Sequence, residues 1–168
     1  RITRGEMAEM IYRLSMNIRN KPSKTYEDLS ASNTATMSVT IYLTKINETG
    51  ADQYVPVQIN VPRSTATLRA SLEALFTLQT PNGCYSSDCM IRNALYLSHL
   101  TVSSATIVDS VAHVTITGDQ ALAGDMDGQR AVEQITRTVT QFPSVKSTDI
   151  TINSTPLRCW ADLSGMCH

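Results

Sequence analysis

Charge is scarce in this 168-residue sequence: 14 Lys and Arg stand against 15 Asp and Glu, 17% of all residues, with a formal net charge of −1. Without a basic run there is no field to draw in DNA, RNA or an anionic lipid surface, so nucleic acid is not an expected partner. Long apolar runs are missing too. No stretch approaches ~18 consecutive apolar residues, so no helical membrane span is expected. There is no Gly-rich phosphate loop, nucleophile elbow or His-Glu-x-x-His pattern, and the 7 Gly and 6 Pro fall mostly at turns. His99, His113 and His168 are scattered, with no second ligand at helical or strand spacing. These absences predict a non-enzymatic chain with no catalytic group, no metal and no cofactor. The one Trp, Trp160, has no aromatic companions and is expected to fill core space rather than to stack a sugar.

What is present suits one domain with an appendage, because a hydrophobic content of 42% is enough for a sizeable core. Four cysteines lie in two turn-rich places, Cys84 and Cys89 in "CYSSDC" and Cys159 and Cys167 in "CWADLSGMC". Three disulfide pairings are open, with zinc or free thiols as the other readings. The wide second gap suits zinc poorly. Two local loops, 84 to 89 and 159 to 167, are the simplest connectivity, and disulfides imply an oxidising compartment.

At the start of the chain Thr3 and Glu6 form a capping box, and Met7, Met10, Ile11 and Leu14 make one apolar helical stripe. Residues 15–36 have no sustained period and are rich in Ser and Thr, which reads as a linker. From residue 37 the period becomes two. "MSVTIYL" puts Met37, Val39, Ile41 and Leu43 on one face, and a second strand follows from Tyr54, with Pro56 arguing for an edge or bulge. Ser64 is the expected cap of a helix with the stripe Leu68, Leu72, Leu75 and Phe76. Asp88 is expected to cap a short helix carrying Ile91 and Leu95.

Further on, a hairpin turns near Asp109 and Ser110, with Ala112, Val114 and Ile116 inward and His113, Thr115 and Thr117 outward. Asp127 is expected to cap a helix lined by Val132, Ile135, Val139 and Phe142, and Ile150 and Ile152 mark the last strand. The order β-β-α-(α)-β-β-α-β predicts an α+β fold, a small mixed or antiparallel sheet with helices on one face, with the N-terminal helix carried on a linker. The two helical stripes and the inner strand faces are its expected core.

The runs "VTIYL…YVPVQINVPR…ATLRASLEALFT", "LTVSSATIVDSVAHVTITG" and "QITRTVTQFPSVKSTDITINSTPL" resemble a GerMN domain, the module named from a spore germination protein, over about residues 37–157. Residues 158–168 are left as a Cys-containing tail. The likeness implies a fold similar to ring-building motifs, an extracellular or cell-surface place in a bacterium, and a part in oligomeric rings or surface complexes. Ile2 to Glu6, "ITRGE", is similar to the closing helix of an S-layer homology domain. Residues 1–14 are then expected to be a remnant of a wall-binding module, with Arg4 as a wall-polymer candidate.

Asp125 and Asp127 sit like part of a calcium loop, but Ala123 and Gln134 occupy the first and twelfth positions, where the motif has carboxylates, so Asp127 reads as a helix cap. Glu73 and Glu133 lie where any solvated helix puts its glutamates. Asn47 and Asn153 head N-x-Ser/Thr triplets, candidate glycosylation sites. Two functions remain. One is an assembly module that joins copies of itself, or other envelope proteins, into a ring, lattice or filament. The Met7, Met10, Ile11 and Leu14 stripe would dock on its own body or a neighbouring copy, and the Pro56 strand or the last strand would be open to augmentation. The other is a monomeric module that binds cell-wall glycan or peptide.

Overall fold

The computed structural model describes Met7, residues 35–47 and residues 50–160. The chain divides into two compact units, 1–34 and 35–168, and every described strand belongs to the second. Strand β1 (Thr36–Ile46) alternates as expected, burying Val39, Ile41 and Leu43. It pairs along its whole length with antiparallel β2 (Asp52–Pro62), from Thr36 opposite Pro62 to Ile46 opposite Asp52. Helix α1 (Thr67–Thr77) buries seven of its 11 residues, including Leu68, Leu72, Leu75 and Phe76. Its N-cap is Ala66, without a side-chain cap. Ser64, the expected cap, instead accepts the Ala66 N–H at 3.1 Å in a turn just ahead of the helix.

The helix expected after Asp88 is not there. Cys84 and Cys89 are joined, with their Cα atoms 4.6 Å apart. Inside the loop they close, the Ser86 hydroxyl takes the Ile91 N–H at 2.9 Å and the Asp88 carboxylate takes the Met90 N–H at 3.1 Å. These side chains offer the backbone an alternative to a helical turn. The chain then runs extended as β3 (Ile91–Arg92), paired with Thr44 and Lys45 of β1.

Strands β4 (His99–Val108) and β5 (Val111–Asp119) form the expected hairpin. Its two-residue turn, Asp109–Ser110, has φ of +51° and +65°, the conformation that matches strand twist. Helix α2 (Asp125–Thr140) follows, with Gly124 rather than Asp127 at its N-cap. Asp127 lies in the first turn, where a carboxylate favours the free N–H groups. Strand β6 (Ser147–Ile152) returns parallel to β5, β7 (Thr155–Pro156) turns back along it, and the short helix α3 (Leu157–Trp160) ends the described chain.

The fold is α+β, with two sheets where one was expected: β2-β1-β3 and β4-β5-β6-β7. The reason lies on the second edge of β1. There the Tyr42 N–H goes to Thr138 Oγ1 at 3.1 Å, and the Thr40 carbonyl accepts Gln141 Nε2 at 2.8 Å. Helix α2 and β3 thus use up the edge that would have extended the sheet. Both α1 and α2 touch β1, while α1 also lies against β4 and α2 against β6. Their stripes meet Ala112, Val114, Ile116, Ile150 and Ile152 in one core. Val132 and Phe142 reach it only partly buried.

Two fully buried polar side chains hold the irregular stretch after β3. Gln134 accepts the Ala94 N–H at 3.1 Å and donates to the Arg92 carbonyl at 3.0 Å. Asn93 donates to the carbonyls of Leu75 and Leu78 and accepts the Leu95 N–H. Backbone groups that have no ladder here are satisfied by amide side chains.

Candidate functional site

Strand edges are where such a fold can meet another chain, because an edge presents unpaired N–H and C=O groups. β2 is the outer strand of its sheet, as Pro56 argued. Since Thr40 and Tyr42 turn away from β2, their opposites Gln58 and Pro56 turn toward the open side, and by the same alternation so does Pro62, opposite Thr36. Two of the outward positions therefore lack a donor, and β2 is a poor template. On the far side of the same sheet the Cys84–Cys89 loop lies along β3, the Tyr85 N–H reaching the Ile91 carbonyl at 2.7 Å. The last strand is not free either: β7 and α3 lie along β6. Neither strand picked from the sequence offers a clean edge.

β4 does. The two-residue turn makes Val108 and Val111 a hydrogen-bonded pair, so Thr106 and Ser104 also bond across to His113 and Thr115. Ala105 and Ile107 then point their N–H and C=O groups to the open side. No described strand or side chain occupies that edge. A bulge at Ser103 shifts the register just before it, and there Arg69 Nη2 donates to the Val102 carbonyl at 2.6 Å while Arg69 Nε pairs with Glu73. A groove of about 190 Å³ runs between residues 105–107 and the start of α1, residues 65–69. Ile107 and Val108 are 37% and 54% exposed, so the edge is apolar as well as unpaired.

The strongest electrostatic grouping lies elsewhere. Arg130 on α2 grips both oxygens of Asp52 at 2.8 and 3.1 Å and reaches Asp127 at 3.2 Å, the three groups being largely buried. The hydrogen bond with Asp52 raises the Arg130 pKa above its ordinary value. This cluster ties the start of β2 to α2 and leaves Asp127 committed to a cation already in the chain. Among the described residues no group of three or more His, Cys, Asp or Glu is placed to hold a metal ion. His113 stands on the outer face of β5, its Nδ1 3.2 Å from the Asp149 carboxylate across the parallel pair. That partner is 36 residues away and was invisible in the sequence.

Of the remaining candidates, Cys159 is disulfide-bonded, and Cys167, its expected partner, lies outside the described residues. Met10, Ile11 and Leu14 also lie outside them; Met7 is helical and 52% exposed. Asn47 closes the β1–β2 turn by accepting the Gly50 N–H. Asn153 holds Gly118 by both amide atoms, accepting its N–H at 3.1 Å and donating to its carbonyl at 2.8 Å, so its nitrogen is engaged in the fold. Trp160 packs partly buried against the core, the role expected of it.

Two solved structures share this architecture. The tandem GerMN domains of the sporulation protein GerM from Bacillus subtilis superpose with a TM-score of 0.54 at 20% identity, over 73% of this chain and 40% of that one. The first GerMN domain of the same protein gives 0.50 at 23% identity, over 73% and 86%. The chain thus spans less than half of the tandem-domain structure, and at these identities the likeness is one of fold. No curated protein matches the chain at a significant level. A family model described as Germane, sporulation and spore germination, matches residues 40–158, from β1 into α3, and by that match the chain belongs to the Germane family.

Proposed function

We propose that this chain is a non-enzymatic, extracytoplasmic domain of the bacterial cell envelope that works by contact between proteins, joining copies of itself or other envelope proteins into a ring, lattice or filament. The apolar edge of β4, which no other strand among the described residues pairs with, carries this reading. An edge left with unpaired backbone groups and exposed Ile107 and Val108 is a liability unless another chain covers it. The Cys84–Cys89 disulfide and the membership of a sporulation and germination family support an oxidising, envelope-associated setting. No helix among the described residues is long and apolar enough to cross a membrane.

The competing reading is a monomeric binder of wall glycan or peptide. Two surface clefts, of about 390 and 380 Å³, would offer it room, but among the described residues neither is lined by an aromatic side chain, and flat apolar stacking is what a sugar ring needs. Sedimentation of the full chain across a range of concentrations, with electron microscopy of the same samples, separates the two. Defined multimers are expected. A chain that stays monomeric throughout and sediments with isolated cell wall would replace the assembly reading by the binder. Deleting residues 1–14 reads any share of the Met7, Met10, Ile11 and Leu14 stripe in that assembly.

A further inference from the structure

We infer that two copies of this chain join through their β4 strands, antiparallel about a two-fold axis at Thr106, so that the four-stranded sheet of one copy continues into that of the other. This rests on the assembly reading and names its partner and contact. Each copy offers outward N–H and C=O groups at Ala105 and Ile107. Pairing Ala105 with Ile107 of the second copy, and Ile107 with its Ala105, satisfies all of them with four hydrogen bonds. Centring the axis on Ala105 would set Ile107 against the bulged Ser103, and centring it on Ile107 would set Ala105 against Asp109 in the turn. Only the Thr106 axis gives both residues an extended partner.

The side chains suit that register. Ala105 and Ile107 share the helix-side face with Val114 and Ala112, their cross-strand neighbours. The second copy therefore lays its Ile107 beside Ala105, a large side chain next to a small one, over the groove at the start of α1. On the outer face Thr106 meets its own counterpart, and Ser104 meets Val108. Residues 100–108 carry no charged side chain, so antiparallel pairing brings no like charges together. One register beyond, Asp109 of the second copy comes opposite Ser103, next to the Val102 carbonyl that Arg69 already holds. Beyond that register the ladder stops at both ends by symmetry, at the bulge of one copy and the turn of the other. An unrelated peptide would find the same backbone groups but not this self-complementary set, which is why the second copy is the partner the edge fits.

Proline at 107 tests the contact directly, because the Ile107 N–H points outward and takes no part in the β4–β5 ladder. Ile107→Pro and, as a variant with no backbone change, Ile107→Lys are compared with the parent by sedimentation of the full chain, with thermal melting to check the fold. T106C is the positive test. Residues facing each other in a non-hydrogen-bonded pair have Cα atoms about 4.5 Å apart, within disulfide reach. Mild oxidation is expected to give a covalent dimer that peptide mapping locates at position 106 in both copies, and both Ile107 variants are expected to weaken association about tenfold or more. Multimers unchanged by Ile107→Lys, or no 106-to-106 link in T106C, would overturn this contact while leaving the assembly reading standing. A parent chain that remains monomeric at every concentration would remove both.

Discussion

Leu72 is fully buried at the centre of α1, in the same core cluster as Leu68, Leu75, Phe76, Ile135 and Val139. Its position was readable because apolar residues at three- and four-residue spacing line one side of a helix. Truncation there removes transfer free energy and leaves a cavity, so Leu72→Ala is expected to lower unfolding free energy by about 2–5 kcal/mol in chemical denaturation. A loss under ~1 kcal/mol would mean that the site collapses or is not closed. Gln134 and Asn93, buried as deeply, carried no such signal. Each is there to satisfy backbone groups, of Ala94 and Arg92 for Gln134 and of Leu75 and Leu78 for Asn93, and sequence spacing does not say which carbonyls will lack a ladder partner.

At the scale of elements, the disulfide loop shows how little sequence a local structure needs. A six-residue segment closed by Cys84 and Cys89, with Ser86 and Asp88 inside it, replaces the helix that the apolar spacing of Ile91 and Leu95 suggested. The Ser86 hydroxyl, and next the Met90 N–H, hold the Asp88 carboxyl below the usual carboxylate range. A carboxyl depressed in the folded state supports the loop above the ordinary value and loses that support as pH falls through the depressed one. An NMR titration of the Asp88 carboxyl carbon is expected to find a midpoint below that of an ordinary aspartate. Ser86→Ala should move that midpoint upward, and an unshifted midpoint in the parent chain would show that the two bonds do not persist in solution. The strand edges follow the same logic. Pro56 marked β2 as an edge correctly, yet the residue that reveals the edge also takes away one of its donors, so the more open edge is β4, which has no marker residue at all.

For the whole molecule, two sheets meet through the pair of helices, and protection from exchange should follow that arrangement. The amides of Ala112, Val114 and Ile116, on the β6 side of β5, belong to the buried centre and are expected among the slowest to exchange with deuterium. Those of Ala105 and Ile107, free on the β4 edge, are expected to exchange quickly in dilute protein and to slow as concentration rises and copies associate. Equal, concentration-independent protection at 105 and 114 would contradict the open edge. The sequence by itself determined the α+β class, the alternation of β1 and β5, both helical stripes and the Asp109–Ser110 turn. Each of these depends on residues a few positions apart, where backbone geometry sets the period. Tertiary structure decided the rest: that β1 closes its second edge on α2, 101 residues away between Thr40 and Gln141, and that His113 finds Asp149 across a parallel pair. It also decided which edge stays open among the described residues. An open edge is defined by what does not come alongside it, and that depends on where the other described elements pack, not on the edge's own sequence.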